Sequence, residues 1–183
     1  MRGEKKKDDI FIGQMTMMDD IYPEWKARKK TGNALFDTSS CEWETPDELY
    51  SKLNDEFHFT LDPCSTDENA KCEKHYTIAD NGLVQDWTGE TVFCNPPYGK
   101  DISAWCEKCY RHSVGGGTSV MLLPARTDTQ WFHKWIYKKA TIRFIEGRVK
   151  YGGSKWNAPF PSMIVIFRGR KKKGRVNKPD EDR

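Results

Sequence analysis

Val92-Phe93-Cys94-Asn95-Pro96-Pro97-Tyr98-Gly99 sets an apolar run directly against a polar amide, two prolines and an aromatic. Proline cannot donate to a strand ladder and fixes its own φ. The stretch therefore predicts a buried strand that stops at Cys94 and gives way to a rigid, exposed loop. Downstream, Ser119-Val120-Met121-Leu122-Leu123 is continuously apolar, as a strand buried on both faces must be. Between the two, residues 101–112 carry Ile102, Trp105, Cys106 and Cys109 on one helical stripe, and Gly115-Gly116-Gly117 ends it. Strand, helix, strand is the unit of a parallel sheet.

The same alternation extends in both directions. Thr45-Pro46-Asp47-Glu48 predicts a helix start, with Thr45 as N-cap, Pro46 at the first helical position and Glu48 completing a capping box. Leu49, Leu53 and Phe57 continue that helix, and residues 57–62 alternate as a strand ending at Asp62-Pro63. Residues 127–139 predict a further helix, capped by Thr127 or Asp128. Residues 141–145 and 162–167 predict two last strands whose connecting loop allows antiparallel pairing. The expected fold is a single α/β domain over residues 36–168 with a mostly parallel sheet. A basic arm (1–35) precedes it, expected to be flexible, and a basic, charged tail (169–183) follows it.

The chain has 183 residues, 37% hydrophobic and 31% charged, enough for one domain with a real core. No run approaches the roughly 20 apolar residues that span a bilayer. The charged N-terminus has no apolar segment of the secretory kind, so a cytoplasmic setting is expected. Net charge is only +3, but basic residues cluster at Arg2 to Lys7, Lys26 to Lys30, and Arg168 to Arg175, the last including Arg170, Lys171 and Lys172. Such clusters attract phosphate backbones, though terminal basic runs also serve as solvated ends. Cys106-Glu107-Lys108-Cys109 lacks a second ligand pair, so it reads as core thiols and no metal is expected.

Several residues carry chemistry. The Asn95 amide oxygen and the Pro96 carbonyl can each accept a hydrogen bond from one planar amine, such as N6 of adenine. Two acceptors on one NH2 draw its lone pair out of ring conjugation and toward an electrophile, while Tyr98 can stack on the base. Asp62 and Pro63 fall where ligands bind in open α/β sheets, at a strand's carboxyl end; a local Asx turn explains Asp62 equally well. Trp43, Thr45 and Pro46 can line the same pocket. Asp80 and Asp86 both precede the Asn95 strand, and the residues do not choose between them as ligand acids. Arg126 follows the second buried strand, within reach of a phosphate or base, or of Asp128. Arg148 and Phe160 lie in loops near the site as candidate DNA contacts; Phe160 can meet an extruded base, though core packing accounts for it more simply.

Taken in order, Trp43-Glu44-Thr45-Pro46, Phe59-Thr60-Leu61-Asp62-Pro63, Gly82-Leu83 with Trp87, Asn95-Pro96-Pro97-Tyr98, Leu122-Leu123-Pro124-Ala125-Arg126-Thr127-Asp128-Thr129 with Trp131 and His133, Phe144-Ile145-Glu146-Gly147-Arg148, and Pro159-Phe160-Pro161-Ser162 resemble the phage-type, Dam-like DNA N6-adenine methyltransferases. The resemblance implies a Rossmann-like methyltransferase fold, S-adenosylmethionine as cofactor and double-stranded DNA as partner. It implies that Asn95, Pro96, Pro97 and Tyr98 hold a flipped-out adenine, and that Trp43 to Pro46 and Asp62-Pro63 serve the cofactor. A monomer or weak homodimer in a bacterial host's cytoplasm, modifying phage DNA against restriction, fits it. One departure is the turn Pro63-Cys64-Ser65-Thr66-Asp67, which has no glycine where such enzymes carry several, so the cofactor leans more on Trp43 and Thr45. RNA adenine or a protein glutamine amide as acceptor, or a DNA-binding protein without catalysis, are the competing readings.

Overall fold

In the computed structural model, residues 43–152 and 157–169 are described. The basic arm, Cys41 and the tail residues Arg170, Lys171 and Lys172 lie outside them. Helix α1 spans Asp47–Phe57, strand β1 Leu61–Asp62, β2 Lys74–His75, β3 Thr91–Cys94, helix α2 Ile102–Val114, β4 Thr118–Pro124, β5 Thr141–Phe144 and β6 Ser162–Arg168. A short π-helical turn, Phe132–Ile136, lies between β4 and β5.

The six strands form one sheet in the order β2-β1-β3-β4-β6-β5. The pairs β1–β2, β1–β3 and β3–β4 are parallel, while β6 runs antiparallel to both β4 and β5. Period-two side-chain alternation divides the core between the two faces. Val92, Cys94, Met121, Leu123, Met163, Val165 and Phe167 pack with the Ile102, Trp105, Cys106 and Cys109 stripe of α2. Phe93, Val120, Leu122, Ile164 and Ile166 face the other way, onto Leu53 and Phe57 of α1. The expected α2 stripe, the buried β4 and the antiparallel ending are all present, and Cys106 and Cys109 are fully buried core thiols.

Three local expectations change. Thr45 does not cap α1: Pro46 holds the N-cap position in an extended conformation, with no side-chain cap bond. Residues 57–60 are not strand. The helix runs through Phe57 and closes where His58 turns left-handed (φ 54°) and donates its N–H to the Asn54 carbonyl at 2.8 Å. The Asn54 side chain then takes the Phe59 N–H, so the chain is used up in a cap before β1 begins. The long helix expected over 127–139 contracts to a short turn. It buries Phe132 and Ile136, and Tyr137 and Lys138 leave helical geometry behind it, Lys138 at φ 60°.

The chain reverses direction across the sheet at β1 and β3: β2 lies on one side of the pair and β4 on the other. Ligands of open α/β sheets bind outside the carboxyl ends of strands at such a point. Two loops are wedged together there. A Cβ on Gly82 would come within 1.9 Å of the Pro63 carbonyl oxygen, and the Trp87 indole N–H donates to the Gly82 carbonyl at 3.0 Å. Gly82→Ala must push backbone against backbone. We expect it to cost about 3 kcal/mol, or roughly 6–12 °C in Tm, read by thermal melting. An unshifted melting curve would show that the 62–64 and 80–82 loops are free to separate.

Candidate active site

Asn95 follows the last residue of β3, and its side chain is anchored from 52 residues upstream. Its amide nitrogen donates to the Trp43 carbonyl at 2.5 Å and to Thr45 Oγ1 at 3.0 Å. A carbonyl can only accept, so the NH2 group must face Trp43 and Oδ1 must face away. Thr45, only 3% exposed, thus serves the Asn95 amide rather than the helix end. Oδ1 accepts from the Tyr98 hydroxyl at 2.8 Å. Among the described residues no donor is found on the Pro96 carbonyl. The amide oxygen is thereby fixed, and the Pro96 carbonyl next to it in the chain is an acceptor without a donor among the described residues.

Tyr98 is held by its hydroxyl. Besides Oδ1, that group lies 3.2 Å from the Leu122 carbonyl and 3.0 Å from the Tyr151 hydroxyl. Burial, with Tyr151 alongside, holds its phenol well above the usual range, so it remains a proton donor. Aromatic rings enclose it: Phe160 lies 5.7 Å from Tyr98 and 5.2 Å from Trp43, and Tyr151 lies 5.2 Å from Trp43. Trp43, Tyr98 and Phe160 were singled out in the sequence. Tyr151 was not, and it completes the cluster.

Asp62, at the end of β1, is 4% exposed. Its two oxygens take the backbone N–H groups of Cys64 (3.4 Å) and Lys71 (3.1 Å), so the Asx-turn reading holds and a second loop is pinned as well. Burial pushes its carboxyl above the ordinary range, opposed by those N–H bonds and by His75 and Lys71 nearby. Lys71, another residue that sequence reasoning passed over, reaches Asp47 at the start of α1 (2.7 Å) and Glu44 (3.7 Å). The Cys64 and Cys94 sulfurs are 3.6 Å apart, which ties the Asp62-Pro63 turn to the base of the Asn95 loop. Both thiols are free, and burial raises both pKa values, so neither is a ready nucleophile.

The two candidate acids separate cleanly. Asp80 follows β2, on the carboxyl edge, where its carboxylate accepts from the Thr77 N–H and hydroxyl, both at 2.8 Å. Asp86 lies before β3, at the opposite edge. There it bonds Thr88 and lines a cavity of about 610 Å³ with Lys108, His112 and Thr118, the first residue of β4. The length of β3 stands between Asp86 and Asn95, which takes Asp86 out of the Asn95 site. Arg126 and Arg148 are exposed at the carboxyl edge, after β4 and β5, and neither side chain has a partner among the described residues. Pro97 is exposed beside the buried Pro96. Among the described residues no helix is long and apolar enough to cross a membrane.

A mixed α/β sheet with a fixed amide acceptor at its switch point is compatible with a Rossmann-like, ligand-binding architecture. Residues 33–182 match the family described as DNA N-6-adenine-methyltransferase (Dam). The chain belongs to that family. It is 32% identical over 126 residues to the DNA N-6-adenine-methyltransferase of Escherichia phage T1, covering 67% of this chain and 52% of that protein. It is also 39% identical over 64 residues to the putative methyltransferase YfdM of Escherichia coli K12, 31% of this chain and 70% of that protein. The chain thus spans about half the length of the phage relative it matches.

Proposed function

We propose that the protein is an S-adenosylmethionine-dependent DNA adenine-N6 methyltransferase on a Rossmann-like domain. The observation that carries this reading is the forced orientation of the Asn95 amide. With both N–H groups bound to Trp43 and Thr45, Oδ1 is the acceptor on offer, beside the Pro96 carbonyl. The pair suits an exocyclic NH2. Membership of the family and the phage relative's name point to adenine in DNA.

The donor set at the switch point fits a zwitterionic amino-acid tail. Asp62 would face its ammonium, and Lys71, exchanging Asp47 for the ligand, its carboxylate. Trp43 would supply an apolar wall, and Asp80, rather than Asp86, would take hydroxyls. When bound, S-adenosylmethionine supplies an electrophilic methyl group on sulfur. The protein's part is to hold the amine. Asn95 Oδ1 and the Pro96 carbonyl each accept one of its N–H bonds, which turns the nitrogen lone pair toward the incoming methyl. Tyr98 would stack on the flipped base, with Phe160 packed edge-on against the Tyr98 ring, and that stacking returns about 1–3 kcal/mol against a few lost on unstacking. Positioning and exclusion of water then supply most of the acceleration. Arg126 and Arg148, with Arg170, Lys171 and Lys172 of the tail, would meet the phosphate backbone.

The test is transfer of labelled methyl from S-adenosylmethionine to unmethylated duplex DNA, with nucleoside analysis of the product. N6-methyladenine is expected. Label that enters RNA or protein but not DNA would overturn the substrate, and no label anywhere would overturn the enzyme.

A further inference from the structure

Behind the acceptor pair lies a run of buried hydroxyls. Tyr151 and Ser162 are each 1% exposed. Tyr151 Oη is 3.0 Å from Tyr98 Oη and 3.1 Å from Ser162 Oγ. Tyr98 Oη in turn reaches Asn95 Oδ1 at 2.8 Å and the Leu122 carbonyl at 3.2 Å. Proton counting fixes the direction. Oδ1 and the Leu122 oxygen only accept, so the one proton of Tyr98 goes to them. The Tyr98–Tyr151 contact must then use the Tyr151 proton, and the Tyr151–Ser162 contact the Ser162 proton. The chain runs from Ser162 through Tyr151 and Tyr98 to Asn95, each hydroxyl polarising the next.

We propose that Tyr151 is a positioning residue for the amine site. Its proton keeps that of Tyr98 directed at the Asn95–Leu122 pair. An arriving amine can then take Oδ1 while the Tyr98 proton turns to the Leu122 carbonyl and the ring stays in place. The free protein holds its own O–H where the amine's N–H will go, so the acceptor is never left bare. This inference rests on the amine reading of Asn95.

The experiment is a double-mutant cycle with Tyr151→Phe and Tyr98→Phe, reading kcat and KM on duplex DNA, cofactor binding and thermal melting. Tyr151→Phe is expected to lower kcat about tenfold, the scale of one buried hydrogen bond, with KM and cofactor binding within about twofold. Because its effect passes through the Tyr98 hydroxyl, the double variant should be no slower than Tyr98→Phe alone. Ser162→Ala, one step further back, should show a smaller loss confined to kcat, and it carries the test if Tyr151→Phe does not fold. Wild-type kcat in Tyr151→Phe, or losses that multiply in the double variant, would overturn the proposal. Absence of methyl transfer by the unaltered protein would instead remove the amine reading beneath it.

Discussion

Asn95→Ala is expected to lower the rate of methyl transfer by about 10²–10³-fold, the range found when one preorganised polar group is taken from a reacting centre. Affinity for S-adenosylmethionine should change only a few-fold. The reason lies in what the amide touches. Its nitrogen faces Trp43 and Thr45, and its oxygen faces the space before Tyr98. The acids that would hold the cofactor belong to the other side of the switch point, at the ends of β1 and β2. The alanine variant removes an acceptor from the amine, and with it the two bonds to Trp43 and Thr45 that account for a few-fold change, but leaves those acids alone. Isothermal titration with S-adenosylmethionine, beside single-turnover transfer, separates the two effects. Equal losses in binding and transfer would mean that Asn95 holds the cofactor, not the target.

Asn95→Asp makes a sharper test, because it keeps the shape and the outward oxygen. A carboxylate in that place would set an oxygen against the Trp43 carbonyl, 2.5 Å from the present nitrogen. Thr45 can turn its hydroxyl to donate, but a backbone carbonyl cannot. Two acceptors set against each other in this half-buried place misplace the outward oxygen, so a loss of at least about 10²-fold at pH 8 is expected. The sign of the pH response follows. Burial and the facing carbonyl raise the pKa of the introduced carboxyl, and its protonated form has an O–H for Trp43. Activity relative to the unaltered protein should therefore rise as pH falls. A variant as fast as wild type at pH 8, with no change in relative rate on acidification, would show that the inward contacts do not orient the amide.

How far these features were legible varies with the distance over which they act. β3 and β4, the α2 stripe and the antiparallel end were readable because apolar runs and helical periods are local patterns. The loop at Asn95 was equally plain, since two prolines can hardly stand inside a strand. Thr45 was placed correctly and given the wrong task. Its neighbours in sequence suggest a cap, and its partner is 50 residues away. Tyr151 was missed for the same reason: it lies in a loop without period, and its contact with Tyr98 spans 53 residues. Lys71 gave no signal because its worth depends on where Asp47 and Asp62 meet. Asp80 and Asp86 looked alike until strand order set them at opposite edges.

The sheet also explains where Tyr98 finds its place. β3 pairs with β4 only from Thr91↔Thr118 to Cys94↔Met121, while β4 runs on to Pro124 beside β6. The difference in strand length leaves a step in the sheet, and the Leu122 carbonyl on its riser turns to Tyr98 instead of to another strand. The room for the Tyr98 hydroxyl is thus a matter of ladder arithmetic. A β3 longer by two residues would zip the step shut, and the same side chains would have nowhere to stand.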